Sequence, residues 1–416
     1  MKEKLFSYIE KNASLAEELE TELCKRPAIA PDSGGEGELD KCLFLEGWLK
    51  GRGITQLERH DAPDPSAKGG VRPNLIATIP GKEDSGPRLW IMSHLDVVPP
   101  GEAALWESDP WELIRKDDGP KGPRLIGRGV EDNQQGLVSS VLAALALVSQ
   151  GLRPPRTVKL LFAADEEMGS AYGIDWLLKN RDLFRKDDMA LIPDGGDPRG
   201  ETIEIAEKNL IWARFSTRGT QAHGSRPDQG VNAHLAGADL AVRLHYELSE
   251  KFSGRDPLFE PDYSTFQPTK KEANVPNINT IPGDDVFCMD MRILPQYPVK
   301  LVLAEIDRIK AEVEAKHGVK ITYTCPQTQE SKPTSKDAPL VKRLSRVVKE
   351  VYGVETRPIG IGGGTVGAYL RNKGIDSVVW SRMDDTAHQP NEYAIIENIL
   401  GDAKVMALLM CDGSDQ

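Results

Sequence analysis

Four short apolar runs, RLWIMS (88–93), TVKLLFAA (157–164), MALIP (189–193) and IDSVVWS (375–381), punctuate the chain. Between them lie helical patterns such as QGLVSSVLAALALVSQ (135–150), closed by Gly151. A strand that is apolar on both faces must be covered on both, and helical crossovers are the connection that parallel strands require. The pattern predicts an α/β fold built on a mainly parallel sheet. In the middle of the chain the order changes. A strand at 211–219 precedes a helix at 232–251, two strands in VPNINTIPG (275–283) and DVFCMDMRIL (285–294), a helix at 301–318 and a strand at 319–325. That β-α-β-β-α-β order describes a self-contained α+β unit. The expectation is a discontinuous domain, 1–211 with 327–416, interrupted by an inserted domain at 212–326. Residues 252–274 read as a long polar loop inside the insert.

Composition narrows the function classes. A net charge of −12 argues against nucleic acid or an anionic membrane as partner. No stretch approaches ~18 uninterrupted apolar residues, the length a spanning helix needs. The N-terminal MKEKLFSYIEKNASLAEELE reads as an amphipathic helix, not a signal peptide. Five cysteines, scattered and without a CxxC pair, suit a reducing cytoplasmic setting and exclude a thiolate metal site of the usual spacing. No G-x-S-x-G occurs, which disfavours a serine hydrolase.

The polar residues fall where the strands end. The run 88–93 leads into His94-Leu95-Asp96, 157–164 into Asp165-Glu166-Glu167, 189–193 into Asp194-Gly195-Gly196, and 375–381 through a short loop to His388. Asp132, in GRGVEDN, precedes the helix at 135–150. Open α/β sheets bind their ligands beyond the carboxyl ends of the strands. Each fragment alone is commonplace: an H-x-D is usually a surface pair, and two acids after a strand usually open a solvated helix. Their conjunction at one sheet edge is not. Three carboxylates and two imidazoles without a cysteine form a ligand set suited to zinc, manganese or cobalt.

The motifs HLDVVPPG, GRGVEDN, DEEMGS, PDGG, GTQAHGSRPDQGVNA, NTIPG…DMR, GGGT and AHQPNE occur in this order along nearly the whole chain. Together they resemble the metallopeptidase and amidohydrolase family of carboxypeptidase G, aminoacylase, acetylornithine deacetylase and succinyl-diaminopimelate desuccinylase. The resemblance implies a catalytic domain holding two divalent metals, zinc first with cobalt or manganese as alternatives. It also implies an inserted lid and a homodimer formed through it. By the same resemblance, His94 and Asp194 hold one metal, Glu167 and His388 hold the other, and Asp132 bridges them. Asp96 orients His94, and Glu166 is the general base for a water activated between the metals. His223 in the lid contacts the tetrahedral intermediate, and Arg292 with Asn279 grips a substrate carboxylate. Gly364 and Thr365 of GGGT complete the substrate-binding set.

The implied reaction is hydrolysis of the amide bond in an N-acyl amino acid, a small substrate with a free carboxylate. A dipeptidase or carboxypeptidase of the same chemistry is the main alternative, and a non-catalytic binding homologue a weaker one. Two departures mark this chain. Where many relatives have Lys two residues after the bridging Asp and then Gly, the run here is Asp132-Asn133-Gln134-Gln135-Gly136, one residue longer. After GGGT, Val366-Gly367 stands where relatives often place Asp or Ser.

Overall fold

The computed structural model describes residues 1–119 and 121–413. It divides into two compact units. The first comprises Met1–Ile205, Thr334–Pro358 and the chain from Tyr369 onward, and the second Ala206–Pro333 with Ile359–Ala368.

An eight-stranded sheet organises the first unit, in the order Leu57–Pro63, Val71–Ile79, Val158–Ala163, Leu89–His94, Met189–Asp197, Asp376–Arg382, Thr202–Glu207, Arg357–Ile361. The four strands at its centre pair in parallel. On one side Val71–Ile79 and Leu57–Pro63 continue antiparallel, and on the other Thr202–Glu207 pairs antiparallel with Asp376–Arg382. The sheet is therefore mixed, parallel at its centre and antiparallel towards its edges. Every residue of Leu89–His94 is buried, as expected of a strand covered on both faces. The helix Gly136–Val148 is apolar all round and packs against Ile396–Cys411, where the Ser139 hydroxyl donates to the Ile399 carbonyl at 3.0 Å. A helix without a polar face has nowhere to go but the interior.

The second unit is a four-stranded antiparallel sheet, ordered Thr265–Lys271, Asp284–Ile293, Asn209–Arg218, Lys320–Gln329, with the helices Ala233–Lys251 and Val299–His317. Burial alternates residue by residue along Asp284–Ile293, the period of a strand with one covered face. Phe215, Leu240, Leu244, Phe266, Met291 and Ile306 form the core, where the Phe215 and Phe287 rings stack at 4.9 Å. The Asn232 side chain caps the first helix by accepting from the Leu235 amide at 3.0 Å.

Three expectations are corrected here. The second sheet strand is Thr265–Lys271, inside the stretch read as a polar loop. VPNINTIPG contributes only Thr280–Ile281, which pairs with Ala222–His223 outside the main sheet. The reason is that Thr265–Lys271 is an edge strand anchored by one buried residue, Phe266. Its register shifts after Pro268 and its last two residues are exposed lysines, so it carries no apolar alternation that a sequence could show. Asn209–Arg218 itself lies inside the sheet, with neighbours paired on both sides. Finally, Ile359–Ala368, read in sequence with the larger domain, belongs to the second unit. The Phe259–Gly360 bridge and the Lys208 amide, donating to the Ile361 carbonyl at 3.0 Å, hold it there.

Phe266→Ala should remove the only apolar anchor of the edge strand and cost about 3–5 kcal/mol. The check is the denaturant midpoint of the full chain; an unshifted midpoint would mean that Thr265–Lys271 is not pinned by its side chain.

Candidate dinuclear metal centre

The first unit delivers its polar groups from strand ends. His94 closes Leu89–His94, and Asp194 lies on Met189–Asp197 past its buried apolar start. After Val158–Ala163 the chain turns at Asp165 (φ 64°) into a short 3-10 turn, Glu166–Met168. His388, also left-handed at φ 63°, sits in the loop after Asp376–Arg382. Asp132 lies in a π-helical turn, Val130–Gln135, which runs into the helix at Gly136. Within this turn Asp132 and Asn133 depart from helical backbone, so the turn is irregular where the run is longer than expected. Gly136 is required where the helix begins, since a Cβ there would stand 2.3 Å from the Pro193 carbonyl oxygen.

The side chains converge in two groups, His94–Asp132–Asp194 and Asp132–Glu167–His388, and within each the ligand atoms lie within 4.8 Å of one another. Asp132 belongs to both. Its Oδ1 is 2.9 Å from His94 Nε2, and its Oδ2 is 3.1 Å from His388 Nε2. His94 Nε2 is also 3.6 Å from Asp194 Oδ1, and His388 Nε2 is 3.0 Å from Glu167 Oε2. Glu166, adjacent to Glu167, is in neither group.

The electrostatics are those of a pocket overfilled with acid. Burial, then the Asp194 charge, pushes the Glu166 carboxyl well above its usual range. Burial raises Asp194 as well, and lifts Glu167 to about 7 against its hydrogen bond with His388. Hydrogen bonds to Asp132 and Glu167 raise His388 to about 10. Burial opposes the charge on His94, but Asp194 and Asp132 override it and hold its pKa well above normal. Four carboxylates facing two imidazoles, all through oxygen and nitrogen, fit divalent cations of hard-to-borderline character.

Supporting contacts explain how the groups are held. His94 Nδ1 is 2.9 Å from the backbone oxygen of Asp96 and 3.5 Å from its carboxylate. The expected orientation of His94 by Asp96 thus runs chiefly through a carbonyl, which puts a proton on Nδ1 and frees Nε2. The Asp96 carboxylate instead accepts from the amides of Glu166 and Glu167, each at 3.0 Å. Asp165, the third acid of the run, is buried and structural. It takes the Tyr172 amide at 3.0 Å and Arg72 Nη2 at 3.1 Å, and Arg72 Nε donates to Glu38 at 2.7 Å. Asn133, which the sequence reading passed over, donates to Asp194 Oδ1 at 2.8 Å and to the Pro193 carbonyl at 2.6 Å.

The other candidates belong to the second unit and fall into two places. His223 is exposed, with Nδ1 2.8 Å from Ser225 Oγ, and stands opposite Thr280. Next to Thr280, the Asn279 carbonyl accepts from the Gly224 amide at 2.7 Å. Arg292 is elsewhere, on Asp284–Ile293. Its Nε and Nη2 donate to Asp290 at 2.7 and 2.9 Å, and its Nη1 to the Gly362 carbonyl at 2.7 Å. Arg292 therefore joins the GGGT turn and not Asn279. In that turn the Thr365 hydroxyl donates to Glu207, and a Cβ on Gly364 would meet Gln329 Oε1 at 2.7 Å. The fork expected for a substrate carboxylate is already occupied by Asp290.

A model of the peptidase family M20/M25/M40 matches residues 90–412. The chain belongs to that family. An uncharacterized metallohydrolase of Methanococcus maripaludis is 39% identical over 408 residues, covering 93% of this chain and 96% of that protein. A succinyl-diaminopimelate desuccinylase of Wolinella succinogenes is 29% identical over 314 residues, covering 74% and 79%. A solved di-peptidase of Saccharomyces cerevisiae superposes with a TM-score of 0.73 at 18% identity, covering 99% of this chain and 98% of its own. As an M20/M25/M40 member the chain is a metallohydrolase acting on carbon–nitrogen bonds.

If the two groups hold one cation each, Asp132→Ala should abolish both sites, whereas Asp194→Ala should spare the Asp132–Glu167–His388 site. Elemental analysis after dialysis against zinc checks this; two equivalents retained by Asp132→Ala would break the shared-ligand arrangement.

Proposed function

We propose that the protein removes the acyl group from N-acyl amino acids at a two-cation centre, with Glu166 as general base. The observation that carries this reading is the pair of ligand groups sharing Asp132, beside a glutamate that belongs to neither. Zinc is the cation proposed, on the nitrogen and oxygen donor set without thiolate. Bound cations would supply Lewis acidity, lowering the pKa of water and polarising the amide carbonyl.

The chain's own groups do the rest. Asp96 fixes the Glu166 amide, so the carboxylate is held beside the ligand groups without being spent as a ligand. Glu166 takes a proton from the attacking water as the oxygen adds to the amide carbon. It returns that proton to the amide nitrogen as the C–N bond breaks, releasing a carboxylate and an amino acid. His223 is assigned to the oxyanion. Arg292 is assigned to the substrate carboxylate through the two N–H groups, one on each terminal nitrogen, left after its three hydrogen bonds. The desuccinylase relative supports an acyl amino acid over a dipeptide as substrate, and N-succinyl compounds are the first to try.

The second unit is proposed as a lid that also forms a homodimer. Thr265–Lys271 leaves one side unpaired in its sheet. Beside it, Leu235, Val242 and Tyr246 on Ala233–Lys251 are 58%, 55% and 67% exposed. A groove of about 650 Å³ between helix and strand is lined by His234, Ala241, His245, Gln267 and Lys271. An edge strand next to an apolar helical stripe suits a second copy related by a two-fold axis. The cytoplasmic setting rests on five cysteines that are all free thiols.

Glu166→Ala should lower kcat by about 10²–10⁴-fold with two zinc ions retained; zinc lost from this variant would make Glu166 a ligand. On a panel of N-acetyl and N-succinyl amino acids and unblocked dipeptides, the acyl compounds should be the better substrates. Turnover confined to dipeptides would replace the deacylase with a dipeptidase. Arg292→Ala should raise KM for carboxylate substrates by about 10–100-fold, the worth of a charged hydrogen bond. His223→Ala should instead lower kcat by about 10²–10³-fold. Light scattering at micromolar concentration should give twice the chain mass, and Val242→Glu with Tyr246→Glu should give the monomer.

A further inference from the structure

Two buried glutamates beside the candidate centre have no part in either ligand group, and they grip each other's loops. Glu392 is four residues beyond His388, and its carboxylate reaches back to the turn that carries Asp132. Oε1 accepts from the amides of Glu131 and Asp132 at 2.9 and 3.0 Å, and Oε2 from the Gly129 amide at 2.9 Å and Arg128 Nη1 at 2.6 Å. Glu131 directly precedes Asp132, and its carboxylate reaches the other way, to the loop that carries His388. Oε1 accepts from the Asp384 amide at 2.8 Å, and Oε2 from the amide and the hydroxyl of Thr386, the latter at 2.7 Å. The two carboxylates are 3% and 0% exposed.

We propose that Glu131 and Glu392 are reciprocal positioning residues, a clasp that prepays the ordering of the Asp132 and His388 loops before cations bind. The proposal rests on the two-cation reading of the site. Its physical basis is the cost of the geometry. Asp385, His388 and Asn391 all hold left-handed backbone, at φ 60°, 63° and 60°. Such conformations in residues other than glycine persist only where the surroundings over-determine them. Between Arg382 and Tyr393 no strand or α-helix supplies that support; the Glu131 carboxylate pins the loop on either side of Asp385, while Asn391 is held by the Glu107 amide and the Leu105 carbonyl. On the other loop, Asp132 and Asn133 depart from helical backbone inside the π turn, and the Glu392 carboxylate satisfies the amides exposed there. A ligand whose loop is ordered in advance loses less entropy on binding its cation.

The clasp is asymmetric, and the asymmetry makes it testable. Glu131 secures the loop of His388, so it serves the Asp132–Glu167–His388 group alone. Glu392 secures Asp132 itself, and so serves both groups. The test is titration of metal-depleted full-length protein with cobalt(II) against a competing chelator, read from the cobalt visible absorption and the stoichiometry, with thermal melting of each metal-free variant alongside. Wild type should take two equivalents. Glu131→Gln should weaken one site by about 10–100-fold, the usual effect of losing an outer-shell partner, and leave the other within about threefold. Glu392→Gln should weaken both. Thr386→Val, which removes only the hydroxyl contact, should shift the same site as Glu131→Gln by a smaller factor and keeps the test open if a glutamate variant does not fold. Glu131→Gln, or Thr386→Val in its place, lowering the melting temperature while both cobalt affinities stay at wild-type values would overturn the clasp. Wild type binding no cobalt would instead remove the two-cation reading, and the clasp with it.

Discussion

Everything around the site answers to one constraint: Asp132 must offer its two oxygens in different directions while other carboxylates crowd the same pocket. Oδ1 faces His94 and Oδ2 faces His388. Glu166, Glu167 and Asp194 are each pushed towards the protonated state by burial. Like charges at this range in a low-dielectric pocket cannot all ionise without positive charge among them. Two protonated imidazoles would meet only part of the demand. A pocket of this composition is a receptor for cations, and the acids are tolerated because the fold fixes them too firmly to move apart.

That firmness comes from hydrogen bonds and ion pairs set one layer behind the ligands. Asp96 spends its carboxylate on the amides of Glu166 and Glu167. Two neighbouring side chains that would point apart on a strand are thereby held on one turn and given different environments. Beneath it, Arg72 ties Glu38, Asp64 and Asp165 into a buried network that fixes the left-handed residue starting the turn. Removing one partner from such a network leaves an uncompensated buried charge, which is why the whole set must be present together. The sequence Asp165-Glu166-Glu167 thus sets three acids in three different places: Asp165 anchors the turn, Glu167 stands in a ligand group, and Glu166 stands in neither.

How much of this was legible in the sequence follows from how local each signal is. The apolar runs located the central strands because burial on both faces leaves a continuous apolar trace. The residues after them were findable because topology sends strand ends to one edge. Thr265–Lys271 was missed because an edge strand needs only Phe266 to face the core, so its polar residues looked like a loop. Glu131 and Glu392 sat inside quoted motifs without a role. Their contacts join positions 261 and 255 residues apart, and no periodicity in a single chain encodes that. Asp96 was expected to orient His94, and sequence spacing cannot tell whether a side-chain oxygen or the carbonyl of that residue does so.

Arg292 shows most clearly what a motif leaves out. Read from DMR alone, it is a free fork waiting for a carboxylate. In the structure Asp290, two residues earlier and on the same face of the strand, takes the Nε–Nη2 edge, and the Trp212 indole donates to the same carboxylate at 2.7 Å from the neighbouring strand. The Gly362 carbonyl takes a third N–H. An arginine so held has its charge largely balanced, so it attracts an anion less strongly from a distance than an unpaired one would. It also has little rotamer freedom left to lose when a ligand arrives, and its remaining donors point in fixed directions. The exchange is of long-range attraction for orientation. In a site where bound cations would already supply positive charge, orientation is the contribution that such an arginine would add. Pairing Arg292 with Asp290 thus leaves a fixed, partly neutralised guanidinium with one N–H on each terminal nitrogen still unused by these three bonds.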